Sequence, residues 1–359
     1  QRRYWFVRRT PAPGFAEQCR QLTDARAEYE WLATGSSTVQ VQALRDLDEA
    51  FRNFFRGTHQ YPTWRKRDEY EGFRQVGIDN RCVRRLSRHV GAVKVPKIGE
   101  VHFRWSRTPR SFVSYRVVQD RAGRWHIAFA SIPTPVAAPE TGEIVGLDRG
   151  VSVSVMISDG ETFQAPGLRP KEAEHLLRLQ RRLARAQRGS NRRHRLKRTI
   201  ARIWARLTDR RKDWVEQTTT ALARRYDILK VEDLKIRNMT RSARGVGRSA
   251  KVNLNRSILA QGWGRLVTRL EQKAPGRVQY VDSKYTSQRC TECGHIDPES
   301  RESQAAFLCV ACGFSCNADL NAARNIAAGQ AVTARRASLK SGGAMKREAL
   351  KLEVQQCAA

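Results

Sequence analysis

Cys290-Thr291-Glu292-Cys293, fifteen intervening residues, Cys309-Val310-Ala311-Cys312, and then Asn317-Ala318-Asp319-Leu320-Asn321 form the stretch on which the reading of this chain turns. Two Cys-x2-Cys pairs at this separation have the spacing of a four-thiolate zinc site. Gly294 and Gly313 each follow the second cysteine of a pair, so two tight knuckles can close on one tetrahedral ion. Cys290, Cys293, Cys309 and Cys312 are the expected ligands of one structural Zn2+. Cys316 lies near them, but the ligand set is complete without it. Seven positions beyond the last thiolate, Asp319 opens a helix-like run through Ile326. A zinc knuckle that delivers a carboxylate to a fixed place points to metal-dependent chemistry on nucleic acid.

Composition supports such a partner. The chain has 359 residues, enough for two or three domains, and carries 67 Lys plus Arg against 35 Asp plus Glu, a net charge of +32. Arginine outnumbers lysine, which favours bidentate contacts to phosphate. A surface this positive repels itself and is most readily explained by a polyanion. A ribosomal or histone-like binder would also fit the charge. The 40% hydrophobic content and eight Trp exclude a merely solvated basic tail. The remaining cysteines, Cys19, Cys82, Cys316 and Cys357, form no disulfide framework, which suits a reducing cytosol. No signal peptide is expected, and no apolar run comes near the roughly 18 residues of a membrane span. The chain opens on Gln1, and its natural start is expected to be missing.

Upstream of the cysteines, the periodicity changes more than once. Residues 14–56 read as helical, with Leu44, Leu47, Phe51 and Phe54 on one face. A basic aromatic stretch follows at Tyr61-Pro62-Thr63-Trp64-Arg65-Lys66-Arg67. Alternation then takes over: Val101, Phe103 and Trp105; Val113, Tyr115 and Val117; Trp125, Ile127 and Phe129. These short antiparallel strands, preceded by helices, predict a small barrel. Beyond the linker at 133–139, Ile144–Val151 reads as a buried strand containing Asp148. An arginine-dense helical hairpin is expected over 171–212, a strand over Ile228–Glu232, and a mobile lid over 238–251. One helical face is expected from Leu259, Trp263, Leu266 and Leu270, then a third core strand at Val278–Val281. The tail after about residue 329 reads as disordered.

Three acids stand where acids are costly. Asp148 sits among Ile, Val, Leu and Gly, Glu232 ends an apolar strand, and Asp319 starts a helix. If the strands share a sheet and the helix packs on it, the three converge. Carboxylates held together raise each other's pKa, and divalent cations relieve that repulsion. Hard oxygen ligands suit two Mg2+, or Mn2+, which can activate water and stabilise the leaving oxygen of a phosphodiester. Each acid also has a plainer role open to it: Asp148 in an Asp-Arg-Gly turn, Glu232 at a strand-end turn, and Asp319 as a helix N-terminal acid favoured by the dipole.

These same residues resemble a known family. Gly146-Leu147-Asp148-Arg149-Gly150-Val151, Val231-Glu232-Asp233-Leu234 and Asn317–Ala323 are similar to the three motifs of a RuvC-type nuclease. Tyr285-Thr286-Ser287-Gln288-Arg289-Cys290 entering a four-Cys ribbon resembles TnpB, the OrfB-type protein of insertion sequences, and the related miniature type V CRISPR effectors. The helix at 42–48, Tyr61-Pro62 and Val95–Gly99 also look like that family's N-terminal half, so the resemblance runs to about residue 328. It implies an α+β multidomain protein: an antiparallel wedge β-barrel with a helical recognition insertion, then an RNase H-like (RuvC) α/β nuclease with an inserted zinc ribbon. The implied boundaries are 1–80 for the recognition region, 81–138 for the wedge strands and linker, and 139–285 for the nuclease. The ribbon then covers 286–315, the last motif 316–328, and the tail 329–359. The family's usual first strand is not seen.

The resemblance further implies an RNA-guided DNA endonuclease in the bacterial cytosol, with a guide RNA and target double-stranded DNA as partners. One chain per guide RNA is expected, with a dimer as the alternative. Asp148, Glu232 and Asp319 carry over as catalytic Mg2+ ligands. A guide–target heteroduplex of roughly 20 bp presents about 40 phosphates, which a charge of +32 can answer. Candidate nucleic-acid contacts are Gln42, Tyr61, Trp64, Arg65, Lys66, Arg181, Arg182, Arg185, Arg192, Arg193 and Arg289. Competing readings are a guided repressor that does not cut and a transposase or resolvase that uses no guide.

Overall fold

The computed structural model describes residues 13–63, 71–78, 80–109, 111–242, 248–303 and 305–329. Trp64, Arg65 and Lys66, the tail after 329 and residues 243–247 of the expected lid lie outside them. The chain divides into two compact units. Among the described residues, the first runs through Ile132 and includes Leu179–Arg202; the second holds Pro133–Arg178 and residues 203–329.

The first unit begins with α1 (Phe15–Glu28), α2 (Glu30–Ala33) and α3 (Ser37–Phe55). Strands β1 (Gly72–Val76), β2 (Val83–Arg85), β3 (Val90–Val95), β4 (Gly99–Arg104), β5 (Phe112–Gln119) and β6 (Trp125–Ser131) follow. The described strands make two antiparallel sheets, ordered β1-β5-β6 and β2-β3-β4. Both contribute to one core, where Val93, Val95 and Tyr115 meet Phe73, Phe103, Val117 and Phe129. Alternation misplaces three residues here, since Val101 and Trp125 are exposed as well as Val113. Val113 is 75% exposed, while Phe112 is buried, because the β5–β6 register shifts between Phe112 and Tyr115. A bulge of this kind exchanges the two faces of a strand.

The second unit is built on a sheet ordered β11-β10-β7-β8-β9 among the described residues. Its first strands are β7 (Ile144–Asp148), β8 (Val155–Ile157) and β9 (Thr162–Phe163). The basic hairpin follows as α4 (Pro170–Arg185) and α5 (Asn191–Arg225). The second helix runs thirteen residues past the expected 212, since Val215, Leu222 and Ala223 keep supplying buried positions. The hairpin turn is closed by Arg193, whose guanidinium donates to the carbonyls of Leu183 at 2.7 Å and Ala186 at 3.1 Å. Those are carbonyls at the end of α4 that would otherwise lack partners.

The chain continues through β10 (Ile228–Glu232), α6 (Ile236–Met239), α7 (Arg248–Gln261), α8 (Trp263–Lys273) and β11 (Val278–Val281). The expected lid thus has helical ends. The single helical face expected from Leu259 to Leu270 is instead broken at Gly262, whose φ of +69° is left-handed. The break turns Leu259 outward to 62% exposure, while Trp263, Leu266 and Leu270 stay buried. Last come β12 (Ala306–Leu308), β13 (Ser315–Asn317) and α9 (Ala318–Ala328). No helix among the described residues is long and apolar enough to cross a membrane.

The core of this unit lies on one face of its parallel strands, while Gly146 and Lys230 on the other face meet α9. Val145, Leu147, Leu229 and Val231 are fully buried against Leu222, Leu266 and Leu270. Helix α9 approaches β7 at Gly146: a Cβ there would lie 2.1 Å from the Ala323 carbonyl oxygen and 2.4 Å from the Ala327 nitrogen. Only glycine allows that approach. At the helix's far end, the Lys230 ammonium donates to the carbonyls of Ala327 at 2.7 Å and Gly329 at 2.9 Å.

Candidate functional site

Two strand ends and one helix start determine where the acids lie. β7 and β10 are parallel, with Val231 paired to Leu147, so Asp148 and Glu232 are the next residues on neighbouring strands and end them at one level. Helix α9 crosses β7 at Gly146 opposite Ala323 and Ala327. From Gly146 to Asp148 is two strand residues, roughly 6.6 Å. From Ala323 back to Asp319 is four helical residues, about 6 Å. The close approach at Gly146 therefore brings Asp319 back to the level of Asp148. Asn317 caps this helix, its side-chain oxygen accepting from the amides of Asp319 at 2.9 Å and Leu320 at 3.1 Å.

Asp148 responds to both of the other carboxylates. Burial pushes the Asp148 carboxyl up to about 7, and the charges of Glu232 and Asp319 add to the shift. Burial also raises Glu232 and Asp319 above the usual carboxylate range. Two arginines oppose this. Arg301 pairs with Asp319 at 3.6 Å and also lowers Asp148 and Glu232. Arg149, buried beneath the site, donates to the Glu232 carbonyl. Thr286 donates its hydroxyl to Glu232 Oε1 at 2.6 Å, which fixes one carboxylate oxygen and leaves the other to turn toward a ligand. Clustered, half-paired hard oxygens suit a divalent cation such as Mg2+.

The thiols form a more closed arrangement. One ligand atom from each of Cys290, Cys293, Cys309 and Cys312 lies within 4.8 Å of all the others, the one group among the described residues set closely enough to hold an ion as it stands. Two of the sulfur–sulfur distances are 3.8 Å and 3.6 Å. A tetrahedral zinc with bonds of about 2.3 Å separates its sulfurs by about 3.8 Å, so the set fits that ion. The two knuckles repeat one pattern. The Cys290 amide donates to His295 and the Gly294 amide to Cys290; the Cys309 amide donates to Phe314 and the Gly313 amide to Cys309. Gly294 and Gly313 have φ of +76° and +73°, as the turns demand.

The other candidate residues are dispersed. Gln42 is only 4% exposed, so its amide is not presented to a base edge; the apolar residues around it on α3 are half-buried. Tyr61 is 44% exposed and packs edge-on against Phe51 and Phe54. Arg181, Arg182, Arg185 and Arg192 are exposed, as is Arg289, whereas Arg193 is engaged in closing the hairpin turn.

Comparisons with known proteins identify the family of the chain. Residues 126–243 match the OrfB_IS605 family, described as "Probable transposase", and residues 263–326 match the Cas12f1-like TNB domain. The chain is 37% identical over 335 residues to "Putative RNA-guided DNA endonuclease InsQ" of Escherichia coli (strain K12), covering 89% of this chain and 81% of that protein. The chain belongs to the TnpB (OrfB-type) family. A second TnpB-type relative, "Putative RNA-guided DNA endonuclease" of Streptomyces pristinaespiralis, is 32% identical over 316 residues, covering 86% of this chain and 75% of the relative. A solved structure described as "Cryo-EM structure of the Cas12f1-sgRNA-target DNA complex" aligns with a TM-score of 0.48 at 14% identity, covering 81% of this chain and 71% of that one.

The pairings of several residues at this site give no signal in the sequence, even where the residue lies in a quoted motif. Arg301 stands eighteen residues before Asp319 in an irregular segment, and only folding brings the two together. Thr286 reaches Glu232 across 54 positions. Arg149 does have a sequence signal, a charged side chain inside a buried run, but that signal is masked by the aspartate next to it.

Proposed function

We propose that this protein is an RNA-guided DNA endonuclease that hydrolyses phosphodiester bonds of target DNA, directed by a bound RNA and a short motif beside the target. The observation that carries the reading is the placement of Asp148 and Glu232 at the ends of neighbouring parallel strands, with Asp319 at the start of the helix that meets β7 at Gly146. Three acids at one place, compensated among the described residues by Arg149, Arg301 and the Thr286 hydroxyl, suit hydrolysis supported by divalent metal. Two Mg2+ bound there would supply water activation and leaving-oxygen stabilisation.

The chain's own residues prepare the site. Asp148, Glu232 and Asp319 supply the oxygen ligands. Thr286 orients Glu232, and Arg149 holds the carbonyl at the end of its strand. Arg301 balances the negative charge and is placed to meet a phosphate at the same acids. The β7–β11 sheet with α9 is read as an RNase H-like (RuvC) nuclease fold, starting near residue 139 and interrupted by the zinc ribbon at 286–315. The two sheets of the first unit are read as wedge strands, with α1–α3 as the recognition helices. The arginines of α4 and α5 are read as a surface for guide RNA or heteroduplex, and the net charge of +32 supports the enclosure of nucleic acid. A cytosolic setting follows from these partners.

The purified protein should carry a discrete RNA and cut DNA matching that RNA in the presence of Mg2+. Protein free of RNA yet fully active on DNA would support an unguided transposase or resolvase. RNA-bound protein that binds matched DNA without cutting it would support a repressor.

A further inference from the structure

Arg289 and Thr291, which flank the thiolate residue Cys290, are held by one side chain. Asn321, with 0% exposure, donates its Nδ2 to the Arg289 carbonyl at 2.7 Å. Its Oδ1 accepts from the Thr291 amide at 3.2 Å and the Thr291 hydroxyl at 3.1 Å. One turn later, Asn325 donates to the carbonyls of Thr286 at 3.0 Å and Arg289 at 2.7 Å. Thr286 in turn reaches Glu232. Asp319 lies two residues before Asn321 on the same helix. A continuous set of hydrogen bonds thus runs from the backbone on both sides of a thiolate to the elements carrying Asp319 and Glu232.

The chemistry requires a primary amide. Asn321 must donate to one carbonyl and accept from two donors at once, which an ionised aspartate or an apolar side chain cannot do. Packing α9 against β7 needs none of this, because Gly146, Ala322, Ala323 and Ile326 already supply that interface.

We propose that Asn321 is a positioning residue that couples the two metal sites: filling the thiolate site sets the spacing of the carboxylates, and a divalent ion on the carboxylates helps retain the zinc. The proposal rests on the nuclease reading of the acids. Coupling of this kind is reciprocal by thermodynamic necessity.

The test uses the full-length, zinc-loaded chain. Mn2+ binding is followed by the EPR signal of the free ion, and zinc loss by a zinc-selective fluorescent indicator with and without Mn2+. In the wild type, Mn2+ should slow zinc loss. Asn321→Ala should bind Mn2+ about tenfold more weakly, the scale expected for an outer-shell partner, and its zinc loss should no longer respond to Mn2+. Thr291→Val, which removes one hydroxyl while keeping the side chain's shape, should show a partial loss of coupling and decides the matter if Asn321→Ala does not fold. Wild-type Mn2+ affinity and wild-type slowing in Thr291→Val and in folded Asn321→Ala would overturn the proposal. If wild type and Asp148→Asn bind Mn2+ identically, the nuclease reading itself fails and takes the proposal with it.

Discussion

The thiolate site and the carboxylate site belong to the same unit, yet they are stabilised in opposite ways. Around the four sulfurs, local backbone does the work: each knuckle closes its own turn through a glycine at positive φ, and the sulfurs stand at the separation zinc needs. Around the acids nothing is local. Asp148 and Glu232 owe their places to the register of two parallel strands, and Asp319 owes its place to a helix–strand approach that one glycine permits. The first site lowers the free energy of a small fold once its ion is bound. The second gathers negative charge that the protein only partly neutralises. The thiolate site closes mostly through its own knuckles, with Asn321 as its tie to α9, whereas the acids are placed by strand register and helix packing.

The largest expected effect breaks the second site alone. Asp148→Ala should abolish cleavage, well beyond the roughly 100-fold that outer-shell changes cost, while DNA binding measured by gel shift stays unchanged. Normal cutting by this variant would remove the catalytic assignment. The converse change, Cys309→Ser, should lower bound zinc, measured by atomic emission, below one per chain and depress the melting temperature. Gly146→Ala tests whether the helix–strand approach serves only the acids. Because the added Cβ would meet backbone atoms, destabilisation should reach at least the upper end of the ~1–3 kcal/mol usual for overpacking, and cleavage should fall while one zinc is retained.

The smallest effect is one of pH. The folded Asp148 pKa of about 7 lies above its ordinary 3.8, so the folded state holds its proton more tightly than the unfolded chain does. Stability from this group is full at low pH and is lost as pH rises from about 4 to about 7, with no further change above. In metal-free protein the melting temperature should decline over that window, after correction for other groups by comparison with Asp148→Asn. Added Mg2+ should flatten the difference. A melting profile identical in wild type and Asp148→Asn would show that the acids do not share charge.

How much of this could be read from the chain depends on how local the cause is. The cysteine spacing foretold the knuckles because each pair and its glycine lie within five residues. The apolar runs around Asp148 and before Glu232 foretold strands β7 and β10, where Val145, Leu147, Leu229 and Val231 recur at every second position on the core face. Arg301 and Thr286 could not be read this way, because their partners are set by tertiary folding alone. Periodicity failed where one residue altered the backbone: at Gly262, which split a helix and exposed Leu259, and at the shift after Phe112, which exposed Val113. Gln42 was judged by its polarity, whereas its burial depends on the packing around α3.

The grip of Lys230 on the carbonyls of Ala327 and Gly329 has a practical consequence for anyone wishing to attach a cargo. Helix α9 is 11 residues long, about 16 Å, and Asp319 sits at its opposite end. A reporter or deaminase grafted directly behind Gly329 would start from an anchored point remote from the acids. Grafting within the capped turn at Asn317 would instead load the hinge on which Asp319 depends.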